Sequence, residues 1–280
     1  MAVDLSSQSN PQKVVVSHLE WYATVDFEFQ VLEARATYTF KKLDKKCSTL
    51  SLDTSNLRIQ SVHHKGTPLS FTLHPTNAGK LHLGQKLEIR LPDVSETENE
   101  LAEVTVQYKT TEKCSALQWL PPSQTSGKEY PYLFTQCQAI HARSLVPCQD
   151  ACGVKMTYQA HITVPDWATC VMSALHQETS SVSENGTRTF TWKQPMPISS
   201  YLLAMAVGEL EKREISSRCS IWAEPSMVDA AAYEFAQTED FLVCAETIAG
   251  TSYPWGRYDL LCLPPSFPVS CIQYRRSDCR

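Results

Sequence analysis

Residues 104–108, Val-Thr-Val-Gln-Tyr, alternate large apolar and polar side chains, which is the period of a β-strand with one buried face. The same alternation occurs upstream in residues 87–91, Leu-Glu-Ile-Arg-Leu. It occurs again in residues 27–31, Phe-Glu-Phe-Gln-Val, and the β-rich run 37–40, Thr-Tyr-Thr-Phe, continues this pattern. These stretches predict that the first two hundred residues form strands.

Turn-forming sequences separate the predicted strands. They are His-Lys-Gly-Thr-Pro at 64–68, Thr-Asn-Ala-Gly at 76–79 and Ser-Gln-Thr-Ser-Gly at 123–127. Asn185-Gly186 is a further hairpin signal, because this pair favours positive φ. Many short strands at such spacing indicate an antiparallel sandwich or saddle rather than a parallel α/β sheet, and the resemblance described below makes it a saddle-shaped antiparallel β-sandwich over residues 1–207.

The pattern changes after Val207-Gly208. Six apolar residues fall at helical spacing on one face, and Gly250 ends the run: Val228, Ala232, Phe235, Leu242, Ala245 and Ile248. Residues 258–263 are apolar enough for a buried strand. A helix followed by a central strand predicts the start of an α/β-type domain, and residues 271–280 differ from the rest in being polar, basic and without period. The resemblance described below sets the bounds of this domain at 208–268 and makes residues 269–280 a divergent tail.

Composition excludes several classes of function. The net charge of −5 gives no attraction to nucleic acid or to an anionic membrane surface. The first residues lack the apolar stretch of a secretory signal, and no segment approaches about 18 uninterrupted apolar residues. The eleven cysteines are odd in number and irregularly spaced, so we expect reduced thiols and a cytoplasmic protein.

The sequence contains no complete metal or catalytic motif. None of the eight histidines has the His-Glu-x-x-His spacing that holds zinc on a helix, and no Cys-x-x-Cys pair is present. His63 and His64 are adjacent, so on a strand they point to opposite faces. Residues 79–84 resemble the start of a phosphate loop, but Gln85 follows, and we predict a strand there. No catalytic residue and no metal ligand is assigned.

One polar pair is distinctive. Gln136 and Gln138 lie at i and i+2, so on a strand both carboxamides point to the same side. A carboxamide donates and accepts hydrogen bonds, which suits a peptide or a lipid carboxylate. A purely structural polar pair is the alternative that these residues leave open.

Several runs together resemble one known family. They are YLFTQCQAIHARSLVPCQD at 132–150, PMPISSYLLAMAVGELEKREI at 195–215 and YPWGRYDLLCLPPSFP at 253–268. They are similar to the leukotriene A(4) hydrolase and aminopeptidase B family of zinc aminopeptidases, the gluzincins, and the resemblance covers nearly the whole chain to Pro268. It implies an N-terminal saddle domain followed by a thermolysin-like catalytic domain.

The resemblance also implies roles. Gln136 and Gln138 match residues that line the family's substrate cleft near the peptide N-terminus, and Cys137 between them counts as part of that segment. The family's Gly-Gly-Met-Glu-Asn segment, zinc-binding helix and catalytic tyrosine follow the point that matches Pro268, where this chain reads Val269-Ser270-Cys271 instead. We interpret this abrupt change as a truncated gene model or an alternative transcript.

Three hypotheses about function follow. In the first, the chain is the inactive N-terminal part of a leukotriene A(4) hydrolase-like aminopeptidase and epoxide hydrolase, without the zinc of the intact family. In the second, it is a non-catalytic isoform that binds a protein or peptide. In the third, it is an active hydrolase by another route. The incomplete second domain leads us to expect self-association, because an uncovered apolar helix face and a strand edge both favour contact with another copy.

Overall fold

The computed structural model describes residues 4–76, 78–79, 81–92 and 102–264. Within these ranges the chain is mainly β and also has three α-helices, α1 (Ala142–Leu145), α2 (Val228–Glu234) and α3 (Thr238–Ala249). The strands in chain order are β1 (Val14–Asp26), β2 (Val31–Lys42), β3 (Thr49–Thr54), β4 (Arg58–His64), β5 (Thr67–Pro68), β6 (Phe71–Leu73), β7 (Gln85–Arg90), β8 (Ala102–Lys109), β9 (Leu117–Leu120), β10 (Tyr132–Thr135), β11 (Lys155–Pro165), β12 (Thr169–Met172), β13 (Leu175–Thr179), β14 (Thr187–Ser199), β15 (Met205–Gly208), β16 (Glu211–Glu214), β17 (Cys219–Ala223) and β18 (Tyr258–Leu261).

The largest sheet has eight strands in the order β13-β14-β11-β1-β2-β8-β4-β5. Strand β1 pairs antiparallel with β2 and parallel with β11, so Trp21 lies between Ala36 and Ala160. Trp21 is fully buried, and its indole N–H donates to the hydroxyl of Tyr108 at 2.9 Å. One face of this sheet therefore supplies much of the main core.

Two smaller sheets complete the first two hundred residues, one in the order β12-β15-β10-β9 and the other in the order β3-β7-β6. Val104, Val106 and Tyr108 are fully buried, as their alternation predicts. The predicted fold class is confirmed: the chain is mainly β, with antiparallel sheets. The parallel β1–β11 pair is an addition that the alternation pattern does not contain.

The prediction of a strand through residues 27–31 is wrong. Residues 27–30 form the turn of the β1–β2 hairpin, and Phe29 is 68% exposed. The Asp26 carboxylate accepts hydrogen bonds from the backbone N–H groups of Glu28 and Phe29 at 3.0 and 2.9 Å, which ends the strand. The strand expected between Gly79 and Gly84 is also wrong, because residues 81–83 form a 3₁₀ turn.

Other local predictions agree with the structure. The turn at 64–68 joins β4 to β5, with Lys65 and Gly66 at positive φ. Gly186 has a φ of 66° in the turn before β14. The predicted tail at 269–280 and residues 265–268 lie outside the described residues, as does Asn77 of the turn at 76–79.

After Gly208 the chain forms a third small sheet, β16-β17-β18, in which β18 runs parallel to β17. Its side chains and those of α2 form a second apolar cluster of seven buried residues: Cys219, Ile221, Ala223, Val228, Ala231, Tyr258 and Leu260. Leu261 packs instead into the main core, with Trp222 and Leu263 against it.

The single helical face predicted for residues 228–248 is wrong in part, although Val228 belongs to the second apolar cluster and Ala232, Phe235 and Leu242 pack against it. The helix is interrupted, and Phe235 separates α2 from α3. The hydroxyl of Thr238, the first residue of α3, donates to the Phe235 carbonyl at 2.7 Å. Ala245 and Ile248 are exposed instead of facing the core. Gly250 ends α3 in the left-handed conformation, as predicted.

Candidate functional site

The segment Gln136-Cys137-Gln138 directly follows β10, which pairs with β9 on one side and β15 on the other. The strand ends at Thr135, so the expectation that both glutamines belong to a strand is wrong. The two glutamine side chains are nevertheless exposed, while Cys137 between them is 2% exposed. Both carboxamides therefore lie at the surface, and Cys137 anchors them to the core.

Hydrogen bonds fix the backbone of this segment. The N–H of Gln136 donates to the Ala116 carbonyl at 2.8 Å, and the N–H of Gln138 donates to the Gln136 side-chain oxygen at 3.1 Å. The Gln138–Ala139 peptide bond is cis. Within the described residues the side-chain amide of Gln138 makes no hydrogen bond, so it is available to a ligand.

The short helix α1 holds the segment from its C-terminal side. The N–H of His141 donates to the Cys137 carbonyl at 2.9 Å, and a His141 ring nitrogen lies 2.7 Å from the Ser115 hydroxyl. The Ser144 hydroxyl donates to the His141 carbonyl at 2.8 Å and accepts from the Ala116 N–H at 3.0 Å. These bonds connect both ends of the segment to the residues before β9.

Burial decides the chemistry of Cys137. It raises the pKa of the Cys137 thiol well above its usual value, with a smaller contribution from the negative charge of Asp150. A thiol in such surroundings stays protonated and is a poor nucleophile. Cys137 is therefore an apolar anchor, and the polar chemistry of the segment belongs to the two glutamines.

A buried ionic network lies behind α1, and the sequence analysis did not single it out. Arg143 is 1% exposed, and its guanidinium donates to the Asp150 carboxylate at 2.9 Å. It also donates to the carbonyls of Leu83 and Ser6 at 2.9 and 2.8 Å. Asp150 accepts a further bond from the Ser200 hydroxyl at 2.6 Å. The sequence signal was one arginine between apolar residues in the run 139–146, but its acceptors come from distant segments.

Asp53 is the second carboxylate of this network. Burial raises the pKa of Asp53, although Arg143 and three hydrogen-bond donors act in the opposite direction. The Ser7 hydroxyl and the backbone N–H groups of Gln8 and Asp150 donate to it at 2.5, 2.6 and 3.0 Å. The network joins the N-terminal residues, β3 and the loop before β11 beneath α1, and so stabilises the base of the Gln136–Gln138 segment.

A comparison with family models identifies the fold. The Peptidase M1 N-terminal domain matches residues 15–202. The chain belongs to this family. The matched range of the M1 domain covers the eight-stranded sheet and ends shortly before β15.

Relatives of the M1 domain extend the similarity beyond the matched range. The chain is 43% identical to leukotriene A-4 hydrolase of Xenopus laevis over 271 residues, which are 96% of this chain and 44% of the relative. It is 38% identical to leucine aminopeptidase 2 of Yarrowia lipolytica, over 96% of this chain and 40% of the relative. The chain therefore spans about two fifths of the length of these relatives.

Solved structures agree with the M1 assignment. Native yeast LTA4 hydrolase superposes with a TM-score of 0.86 at 34% identity, covering 98% of this chain and 41% of that one. Yeast LTA4 hydrolase in complex with bestatin gives a TM-score of 0.83 at 35% identity, covering 95% and 40%. The resemblance inferred from the sequence is confirmed.

The described part of the M1 chain offers no metal-binding cluster. No three His, Cys, Asp or Glu side chains meet there in a way that could hold an ion. The zinc implied by the family resemblance therefore does not fit any set of described residues. Within the same ranges no helix is long and apolar enough to cross a membrane.

Proposed function

We propose that this chain is the N-terminal part of a leukotriene A(4) hydrolase-like zinc aminopeptidase and epoxide hydrolase, and that residues 136–138 contact its substrate. The observation that carries this proposal is the pair of exposed carboxamides, Gln136 and Gln138, held directly after β10 on the buried Cys137. The names of the relatives, a leukotriene hydrolase and leucine aminopeptidases, support a lipid and a peptide as the two substrate classes.

The exposure and hydrogen bonding of the two glutamines support a binding role for them. The Gln138 amide can donate to a peptide carbonyl and accept from an amine, and the Gln136 NH₂ group can donate while its oxygen holds the Gln138 backbone. Neither carboxamide can act as a general acid or base, because carboxamides do not titrate near neutral pH. Gln136 and Gln138 therefore orient a ligand and do not react with it.

We propose further that the chain alone holds no zinc and turns over neither substrate. The 280 residues contain no His-Glu-x-x-His pair, so none of their helices can present two imidazoles beside a carboxylate at that spacing. Metal analysis of the purified chain after incubation with zinc tests this, together with an aminopeptidase assay. One tightly held zinc per chain, with hydrolysis that a chelator abolishes, would contradict the proposal.

Peptide binding by the glutamines is tested separately by NMR on the full chain. A tripeptide with a free α-amine should shift the side-chain amide signals, which the variants Gln136→Ala and Gln138→Ala assign. Gln177→Ala is the matched control, because Gln177 is exposed and its amide donates to the nearby carbonyls of Leu175 and His176. Equal tripeptide affinities for all three variants would contradict the substrate-contact role of Gln136 and Gln138.

A non-catalytic role through self-association is the second candidate function. On α3 the apolar residues Phe241, Cys244, Ala245 and Ile248 are exposed, and positions i, i+3, i+4 and i+7 share one helix face. Phe241 is 68% exposed and Ile248 is 82% exposed. We call these four residues the α3 stripe and propose that it packs against the α3 stripe of a second copy.

We also propose that the chain acts in the cytoplasm. All nine cysteines of the described residues are free thiols, and several are buried in the core. Free thiols persist in a reducing compartment, which supports the cytoplasmic location.

A further inference from the structure

A surface cluster of four aromatic rings lies at the end of the β1–β2 hairpin, and none of its residues belongs to the Gln136–Gln138 segment. Tyr130 stacks on Trp167, with ring centroids 4.5 Å apart and planes at 11°. Phe27 lies 5.2 Å from Trp167 and 5.4 Å from Trp119. None of the four side chains is fully buried, so the cluster is a partly open aromatic surface.

Acidic residues adjoin both rings of the stack. Glu129 immediately precedes Tyr130, and Asp166 immediately precedes Trp167, and both acids are exposed. A third carboxylate, that of Glu209, lies beside Gly127, where an added Cβ atom would be 3.3 Å from a Glu209 oxygen. The stacked pair is therefore bordered by three carboxylates from three different segments.

The electrostatics of Tyr130 reflect this arrangement. The pKa of Tyr130 is raised, first by the charge and hydrogen bonding of Glu129 and to a smaller extent by Glu209 and Asp166. Within the described part of the chain no lysine, arginine or histidine forms an ion pair with any of these three acids. Lys128, the adjacent base, donates instead to the Ser123 carbonyl at 2.7 Å. Within the described residues the three carboxylates around the rings therefore have no direct ion-pair partner.

Aromatic faces attract cations through their quadrupoles, and neighbouring carboxylates add to that attraction. An anion or an uncharged apolar group gains nothing from three nearby negative charges. We propose that the face of Tyr130 turned away from Trp167, together with Glu129 and Asp166, binds the guanidinium or ammonium group of a basic peptide side chain. This site does not depend on the role proposed for Gln136 and Gln138.

The test is an NMR titration of the full chain with N-acetyl-Gly-Arg-Gly-amide, followed on the indole N–H signal of Trp167, which W167F assigns. The same peptide with citrulline in place of arginine is the control, because citrulline keeps the shape and removes the charge. Saturable shifts with arginine and none with citrulline are expected. Equal shifts with the two peptides would overturn the proposal.

Variants locate the site. Tyr130→Ala should weaken arginine-peptide binding roughly three- to tenfold, while Tyr233→Ala, at an 85% exposed tyrosine on α2, should leave it unchanged. Glu129→Gln combined with Asp166→Asn keeps the packing, should also weaken binding, and should reduce its dependence on salt. Unchanged affinity in this double variant would contradict the proposal even if Tyr130→Ala failed to fold. Gln177→Ala, at an exposed glutamine outside both proposed sites, should bind the arginine peptide normally.

Discussion

The carboxylate of Glu224 accepts two contacts from the backbone N–H of Ser126, at 2.9 and 3.0 Å, although 98 positions separate the two residues. Glu224 follows β17 and is 4% exposed, whereas Ser126 belongs to the loop before β10. A buried carboxylate must have such donors, because an unpaired charge in the interior is strongly unfavourable. This contact therefore ties the segment after Gly208 to the M1 N-terminal domain.

Removing this carboxylate should destabilise the whole chain. Glu224→Ala leaves the N–H of Ser126 without its charged acceptor, and we expect a loss of about 1.5–3 kcal/mol in the free energy of unfolding. Glu224→Gln keeps one oxygen acceptor and should lose less. Chemical denaturation measures the effect, with Glu234→Ala, an exposed residue of α2, as the control. A change no larger than that of the control would contradict the role of the contact.

Arg143 should tolerate no substitution, including lysine. Its planar guanidinium serves acceptors on three residues in a fixed geometry, and a lysine ammonium cannot reach all of them. Arg143→Lys keeps the positive charge but leaves at least one buried acceptor without its donor, so it should lower the free energy of unfolding by about 1–3 kcal/mol. Thermal unfolding of Arg143→Lys against Arg58→Lys, an exposed position, measures this. A similar Tm for the two variants would show that the network is dispensable.

The acid sensitivity of the segment after Gly208 should depend on Glu246. Hydrogen bonding by the Arg218 guanidinium, followed by the backbone N–H of Tyr253, lowers the pKa of Glu246 from 4.5 to about 2. The unfolded chain therefore binds the proton first, so the stabilisation is complete above pH 4.5 and is lost as the pH falls towards 2. Glu246→Gln should reduce stability at neutral pH and flatten the slope of unfolding free energy in this window. Urea titrations at several pH values measure this slope, with Glu234→Gln as the control. A slope in Glu246→Gln equal to that of the unchanged chain would contradict the prediction.

Self-association through the α3 stripe can be trapped chemically. In an antiparallel pair of α3 helices, a twofold axis between Cys244 and Ala245 sets Phe241 opposite Ile248 and brings the two Cys244 thiols together. Oxygen with a copper catalyst removes two electrons and two protons from these thiols, and a disulfide-linked dimer should form.

Phe241→Asp should abolish this crosslink, and Cys244→Ser should remove it by definition. Cys152 is also an exposed thiol, so Cys152→Ser is the matched control and should crosslink normally. The dimer should be weak, because a contact made by four side chains from each copy buries less area than a stable protein interface. Crosslinking that is lost with Cys152→Ser and kept with Phe241→Asp would rule out the α3 stripe.

Residues 1–207 should fold without the rest of the chain. Most residues of the main core lie before Val207, and only Leu210 and Leu261 of its buried members come later. A fragment of residues 1–207 should keep a β-type circular dichroism spectrum and unfold cooperatively, with lower stability than the full chain. A spectrum typical of an unfolded chain would place the domain boundary elsewhere.

Local alternation was enough to predict the strands whose burial depends only on their own side chains. Residues 104–108 lie within β8, and Val104, Val106 and Tyr108 are buried because every second side chain of this strand faces the core. The end of β1 was missed because it depends on one polar group, the Asp26 carboxylate, and not on the apolar period. Gln136 and Gln138 were placed on one side of a strand by the same alternation, and both are exposed around the buried Cys137 although β10 ends at Thr135.

Contacts between distant segments could not be predicted from the sequence. The hydrogen-bond acceptors of Arg143 lie on Ser6, Leu83 and Asp150, and no local sequence pattern predicts that these residues are close together. The aromatic cluster has the same property, because Tyr130 and Trp167 belong to separate loops. Such sites require the register of the sheets, which only the complete fold determines.

The parallel pairing of β1 with β11 has a consequence for how the chain is made. His18 is paired with Thr157, so the central strand of the largest sheet stays incomplete until a segment 139 positions later has emerged. At a synthesis rate of about 5–20 residues per second, this delay lasts on the order of ten seconds. During that interval the β1–β2 hairpin has an open edge, and chains made slowly or halted before β11 should be the ones that chaperones retain.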